Sequence, residues 1–128
     1  PQMNFLEAGV EKEGAGYVLV FAQNRIPLVK PELEPYVGKK VILGIRPEDI
    51  HAEESFLAIS EKSNIQAKVD LAEMMGSEIY LYFTCGGQKM VARVPSRTGI
   101  HADDEVKLAL DANKIHVFDS ATEEIICH

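Results

Sequence analysis

The stretch KVILGIRPEDI, residues 40–50, decides how this chain is interpreted. Its apolar run has the composition of a buried strand and ends at Ile45, where Arg46 follows at once. The ring of Pro47 fixes φ and removes a backbone donor, so ordinary strand pairing must stop there. Two acidic residues come next. A buried strand that ends in a cation, a proline and two carboxylates is typical of an active-site corner, an ion pair at a contact surface, or a plain turn.

Length and composition limit the possible classes of protein. The chain has 128 residues, of which 46% are hydrophobic, and this is enough for one domain with a substantial core. Its net charge of −7 argues against broad binding to nucleic-acid phosphates, which requires clustered Lys and Arg. No apolar run reaches the roughly 18 residues that a membrane-spanning helix needs. Two distant cysteines, Cys85 and Cys127, cannot form a disulfide scaffold and indicate a reducing compartment.

Short apolar runs separated by turn residues predict an all-β fold with minor α content. Alternation is clearest over 64–72, and a Gly-Gly pair at 86–87 is typical of a tight hairpin turn. One short helix is predicted after Pro31, while Glu53 and Glu54 lie in a predicted acidic loop. Ten strands are predicted, over 3–10, 17–22, 26–29, 39–45, 64–72, 79–84, 89–94, 106–110, 115–118 and 124–126. About ten short strands at this spacing indicate a barrel or a sandwich.

Motifs of known chemistry are missing from the sequence. It contains no phosphate-binding loop, no G-x-S-x-G elbow and no HExxH. Its four histidines are scattered, so no zinc site is indicated. Two binding alternatives stay open: an oxyanion nest at 96–99, and a nucleic-acid stacking face formed by Tyr80, Tyr82 and Phe83.

Several short motifs follow one another along the chain: Pro1-x-Met3-Asn4-Phe5-Leu6, Pro31-Glu32-Leu33, Tyr36-Val37-Gly38-Lys39, Val41-x-Leu43-Gly44-Ile45-Arg46-Pro47-Glu48, Glu73-x-x-Gly76-Ser77-Glu78, Val91-Ala92-Arg93, Val106-x-Leu108 and His116-x-Phe118-Asp119-x-x-Thr122. Taken in this order, they resemble the C-terminal part of the ATP-binding subunits of sugar-type ABC importers, those for maltose, multiple sugars and glycerol-3-phosphate. The resemblance covers nearly the whole chain.

The resemblance implies an OB-like β-barrel related to the molybdate-binding barrels. It implies a single accessory domain over 1–128, with two intertwined halves of about 1–62 and 63–128, and an ATPase domain upstream that binds ATP and magnesium. The fragment itself is then no enzyme and needs no cofactor or metal. Its expected partners are a second copy, the ATPase domain, the membrane subunits and possible cytosolic regulatory proteins, but no nucleic acid. The expected location is cytoplasmic, at the inner face of the cell membrane.

The same resemblance implies that this domain contacts a second copy or a regulatory protein. Neighbours two apart on an extended segment point the same way, so Arg46 and Glu48 are expected on one side of the corner, as a brace or a contact. Phe118 and Asp119 are expected to form an apolar anchor with a polar rim. The structural positions of the motif are Gly44, Pro47 and Gly76. A small-ligand or oxyanion-binding barrel of the molybdate-binding type is the alternative function.

Overall fold

A computed structural model describes residues 3–59 and 61–128, and they form two antiparallel sheets. Pro1, the first residue of the motif Pro1-x-Met3-Asn4-Phe5-Leu6, lies outside the described residues. The strands are β1 (Asn4–Glu13), β2 (Gly16–Phe21), β3 (Asn24–Leu28), β4 (Lys40–Ile45), β5 (Ile50–His51), β6 (Asn64–Met75), β7 (Glu78–Cys85), β8 (Gln88–Pro95), β9 (Glu105–Leu110), β10 (His116–Asp119) and β11 (Ile125–Cys127). All ten predicted strands are present, and β5 is additional. The all-β prediction is therefore confirmed.

The two sheets exchange strands between distant parts of the chain. The first sheet has the order β11-β10-β4-β1-β2-β3, and the second has the order β5-β9-β6-β7-β8. Strands β10 and β11 therefore extend a sheet that otherwise comes from the first 45 residues, whereas β5 joins the later strands. One apolar cluster, made of inward-facing side chains from both sheets, fills the space between them. Burial of this cluster is what holds the sheets face to face.

Helical structure is confined to short segments. The helix α1 spans Glu54–Ile59, and short 3₁₀ helices occur at Pro31–Tyr36, Pro47–Asp49, Glu61–Ser63, Ser96–Thr98 and Ala112–Lys114. The prediction of an acidic loop at 53–54 was wrong. The Glu53 carbonyl accepts hydrogen bonds from the N–H groups of Phe56 and Leu57, and α1 begins at Glu54. Six residues are too few to show a helical period in sequence. Across residues 3–59 and 61–128, no helix has both the length and the apolar character that crossing a membrane requires.

The β6–β7 hairpin differs most from its prediction. The sequence places the end of the strand at Ala72, but β6 continues to Met75 and turns at Gly76, whose φ is +72°. The register shifts between Val69 and Leu71, so the alternation predicted for 65–71 fails at its last member. Leu71 is accordingly 55% exposed instead of buried. The hairpin turn predicted at Gly86 is confirmed, because both glycines there have positive φ.

Asn4 is a buried polar residue that connects the two sheets. Its side-chain amide donates to the carbonyl of Ile45 at 3.1 Å and to the carbonyl of Val91 at 2.8 Å. Its side-chain oxygen accepts from the Val91 N–H at 2.7 Å. One side chain on β1 thus provides hydrogen-bond partners to backbone groups of β4 and β8. These groups therefore do not require water as a partner.

Replacing Asn4 by Ala should lower the free energy of unfolding by about 2–3 kcal/mol, because it leaves buried backbone groups of Ile45 and Val91 without partners. Urea unfolding measures the loss. Asn113→Ala is the matched control, since that side chain is exposed, and its stability should change by less than about 0.5 kcal/mol. An Asn4 variant as stable as the control would contradict the connecting role.

Candidate contact face and adjoining cleft

The corner after β4 places its charged residues differently from the sequence prediction. Arg46 is exposed, whereas Glu48 is half-buried. Pro47 begins a 3₁₀ turn that ends at Asp49, so residues 46–48 do not form an extended segment and the two side chains do not share a side. Among the described residues, no salt bridge joins Arg46 to Glu48. The structure therefore does not support a brace within this pair, and a contact role for Arg46 and Glu48 stays a prediction.

Glu48 instead faces a cleft of about 470 Å³ between the two sheets. Its Oε1 atom is buried and finds no hydrogen-bond partner within residues 3–59 and 61–128. Across the cleft, the Arg93 Nε lies 3.4 Å from Glu78 Oε2. The other lining residues are Met3, Asn4, Phe5, Pro47, Tyr80, Tyr82, Lys89 and Val91. The cleft thus brings together the cations Lys89 and Arg93, the carboxylate of Glu48 and two tyrosines, and the rest of its lining is mostly apolar.

A second feature lies on the outer surface of the first sheet, next to this cleft. Strand pairing places Phe5, Gly44 and His116 in one row across β1, β4 and β10, and it places Ile42 beside Phe118 in the next row. The Phe5 and Phe118 rings meet edge to face, with centroids 5.8 Å apart. Met3, Phe5, Ile42 and Phe118 together form what we call the outer apolar patch.

Gly44 allows the outer apolar patch to form. A Cβ atom at this position would lie 2.6 Å from the Met3 sulfur, 2.9 Å from the Phe118 ring and 3.4 Å from the Phe5 ring. Real Cβ contacts are longer than the first two distances, so a side chain here would separate the rings. The motif glycine predicted from the sequence therefore has a packing role. Its lack of a side chain leaves room for Met3, Phe5 and Phe118 to pack together.

Phe118 and Asp119 are adjacent in sequence but differ in their surroundings. Phe118 is half-buried on the outer face and 54% of its neighbour Phe5 is exposed, so neither fills the core. Asp119 is instead occupied internally, because its carboxylate accepts from the Tyr36 hydroxyl at 2.9 Å and from the N–H groups of Ala121 and Thr122. These bonds, that of Thr122 foremost, lower the pKa of Asp119. Its role as a polar rim stays a prediction.

Three members of the outer apolar patch were missed by sequence reasoning. Phe5 and Ile42 belong to strands that alternate in and out, and alternation alone does not say which outward residues meet. Only the register of β1, β4 and β10 brings them together with Phe118. The sequence offered two signals for Phe5: it belongs to a motif of the family resemblance, and Phe is a residue type that is more often buried.

The predicted oxyanion nest is occupied by internal contacts. The N–H groups of Ser96 and Gly99 donate to backbone carbonyls, and Arg97 pairs with Glu53. The predicted stacking face is divided, because Phe83 is buried while Tyr80 and Tyr82 are half-buried in the cleft. In the described part of the chain, no three His, Cys, Asp or Glu side chains converge in a way that could hold a metal.

Known proteins resemble this chain in sequence. Residues 1–50 match the model of the MalK OB fold domain, and residues 43–118 match that of the TOBE domain. The oligosaccharides import ATP-binding protein MsmX of Bacillus subtilis is 39% identical over 127 residues, which are 96% of this chain and 34% of MsmX. The trehalose/maltose import ATP-binding protein MalK of Thermococcus litoralis is 33% identical over 98% of this chain and 35% of its own length. The chain thus spans about a third of these relatives, and the predicted resemblance is confirmed.

A solved structure confirms the barrel type. The cytoplasmic molybdate-binding protein ModG superimposes with a TM-score of 0.66 over 89% of this chain and 94% of its own. Only 11% of the residues are identical, so the likeness concerns the fold alone. The predicted OB-like, molybdate-binding-like β-barrel is therefore the observed fold class.

Gly44→Ala should destabilise the chain by about 1–3 kcal/mol, because the new methyl group must displace Met3 and Phe118. Gly9→Ala is the matched control on the neighbouring strand, where the nearest atom to an added Cβ is 4.0 Å away. Thermal unfolding compares the two variants. Equal melting temperatures would refute the packing role of Gly44.

Asp119→Asn should destabilise the chain only where the native carboxylate is charged. Because its hydrogen bonds lower the pKa of folded Asp119 below the ordinary 3.8, the stabilisation is complete above that pH and disappears as pH falls through the folded pKa. Urea unfolding of both proteins between pH 7 and pH 2 should show a gap that closes on acidification. A gap that is constant with pH would contradict this assignment.

Proposed function

This chain belongs to the TOBE domain family, and from that premise we propose that it is the regulatory and dimerisation domain of the ATP-binding subunit of a carbohydrate ABC importer. In this proposal two copies contact each other and hold the ATPase dimer together, and the same domain receives cytosolic regulatory proteins. The relatives MsmX and MalK are ATP-binding proteins of sugar import, and the match to each covers nearly the whole of this chain.

The outer apolar patch is the observation that supports a contact role most strongly. Its two phenylalanine rings stand over Gly44, and more than half of the Phe5 side chain is exposed. Burying a large apolar side chain gains about 1.5–3 kcal/mol, so covering this patch favours association. Charged residues, Glu7 and Lys40, lie next to it and form their own ion pair, as is typical of an interface rim.

The position of the patch suits a contact that persists while other surfaces move. It lies on the face of a six-stranded sheet that is fixed by ladder hydrogen bonds and by the shared core behind it. Such a sheet bends little, so two copies joined here would keep one geometry through a catalytic cycle. ATP and magnesium would bind the ATPase domain, and that domain would also contact the membrane subunits at the cytoplasmic face of the membrane.

An oxyanion-binding barrel is the second candidate, and the cleft is the feature that bears on it. Lys89 and Arg93 would attract an anion there. The unpaired, partly buried carboxylate of Glu48 would repel it, and the amides of Ser96 and Gly99 are already occupied. The contact role is therefore favoured. Calorimetric titration with molybdate and sulfate should give no binding heat, whereas stoichiometric binding would favour the alternative.

Phe5→Glu and Phe118→Glu should each weaken self-association at least tenfold, which is about 1.4 kcal/mol, because each places a carboxylate in an apolar contact. Sedimentation equilibrium of the chain measures the effect. Val29→Glu is the matched control, since Val29 is 79% exposed and lies outside the outer apolar patch.

Circular dichroism of the variants should show the same fold as the wild-type chain. The contact role would be contradicted by a wild-type chain that stays monomeric at its highest soluble concentration, or by Phe variants that associate as strongly as wild type.

A further inference from the structure

Two histidines face each other at one end of the first sheet. His116 is the first residue of β10 and lies in the row of Phe5 and Gly44. His128 directly follows β11, the strand that pairs with β10. Their Nδ1 atoms are 3.2 Å apart, and the rings stand at 90° with centroids 5.3 Å apart. His128 is exposed and His116 is half-buried, so solvent reaches the pair.

We propose that His116 and His128 form a bidentate site for a divalent transition metal, which both Nδ1 atoms bind. Two nitrogens bound to zinc at about 2.0–2.1 Å and near the tetrahedral angle lie roughly 3.4 Å apart. The observed separation is close to this value, so the rings need little rearrangement to chelate. Imidazole is a ligand that suits zinc, nickel and copper.

The metal-free pair explains how the geometry is maintained without an ion. A hydrogen bond across these 3.2 Å requires that one Nδ1 carries a proton and that the other Nδ1 accepts it. A metal replaces that shared proton. Both rings must then carry their proton on Nε2, and this change of tautomer distinguishes chelation from simple proximity.

Neighbouring charges set the conditions under which the site can bind. Burial foremost, followed by the charges of Arg46 and His128, lowers the pKa of His116. Lys114 acts in the same direction as Arg46, whereas Asp49 opposes them. Arg46 and Lys114 also repel an incoming metal ion, and we therefore expect a site of moderate affinity.

The site is incomplete by itself, because two ring nitrogens fill half of a tetrahedral shell. No third His, Cys, Asp or Glu side chain joins the pair in the part of the chain that the structure describes. Water or ligands from a docked molecule would fill the two remaining positions. Because His116 lies opposite Gly44 on the outer face, those positions are beside the outer apolar patch.

Titration of the chain with zinc chloride at pH 7.5, followed by calorimetry, tests the proposal. We expect one zinc bound for each pair of rings, with affinity reduced at least about tenfold in His116→Gln and equally in His128→Gln. His101→Gln is the matched control, since its side chain is 83% exposed and lies elsewhere, and it should bind as wild type does. Nitrogen-detected NMR should show both rings in the Nε2–H tautomer once zinc is present.

Three results would overturn the proposal. The first is zinc affinity in wild type no greater than in the His116→Gln, His128→Gln double variant. The second is an effect from only one of the two substitutions. The third is an Nδ1–H tautomer that persists in either ring at saturating zinc. Both side chains are at least partly exposed, so thermal unfolding of the variants should confirm an intact fold and assign any loss to the site.

Discussion

The three hydrogen bonds of the Asn4 side chain are the constraint on which the rest of the structure depends. They attach β1 to β4 and β8 through a buried polar side chain between the two sheets. Because successive residues of a strand point to opposite faces, fixing Asn4 inward directs Phe5 outward. The same contact forms part of the wall of the cleft, so the cleft and the outer apolar patch share one anchor.

The outer face then follows from the order of strands in the first sheet. Strand β4 lies between β1 and β10, and its Gly44 leaves room for aromatic rings that come from both sides. This arrangement couples the two ends of the chain, because Phe5 and Phe118 touch across 113 positions of sequence. The charged corner that follows β4 is divided by its 3₁₀ turn, with Arg46 toward solvent and Glu48 toward the cleft.

The sequence predicted local features well and non-local ones poorly. Strands and the glycine turn at Gly86 follow from residue type alone, and the predicted strands are present. The prediction for Leu71 failed because a register shift inside β6 reverses the alternation. The residue types around Leu71 give no signal of this shift. The outer apolar patch could not be predicted, since strand order decides which outward side chains meet. Both Phe5 and Phe118 belong to motifs of the family resemblance, but only Phe118 was predicted to form a contact.

Intermolecular contacts at the outer apolar patch test the central claim most directly. Isotope-filtered NMR on a mixture of labelled and unlabelled chains detects contacts between copies and excludes those within one copy. If two copies associate through this patch, intermolecular signals should connect the methyl groups of Ile42 to the rings of Phe5 and Phe118. Intermolecular signals confined to other exposed apolar residues, such as Leu71 and Met74 on the β6–β7 hairpin, would contradict it.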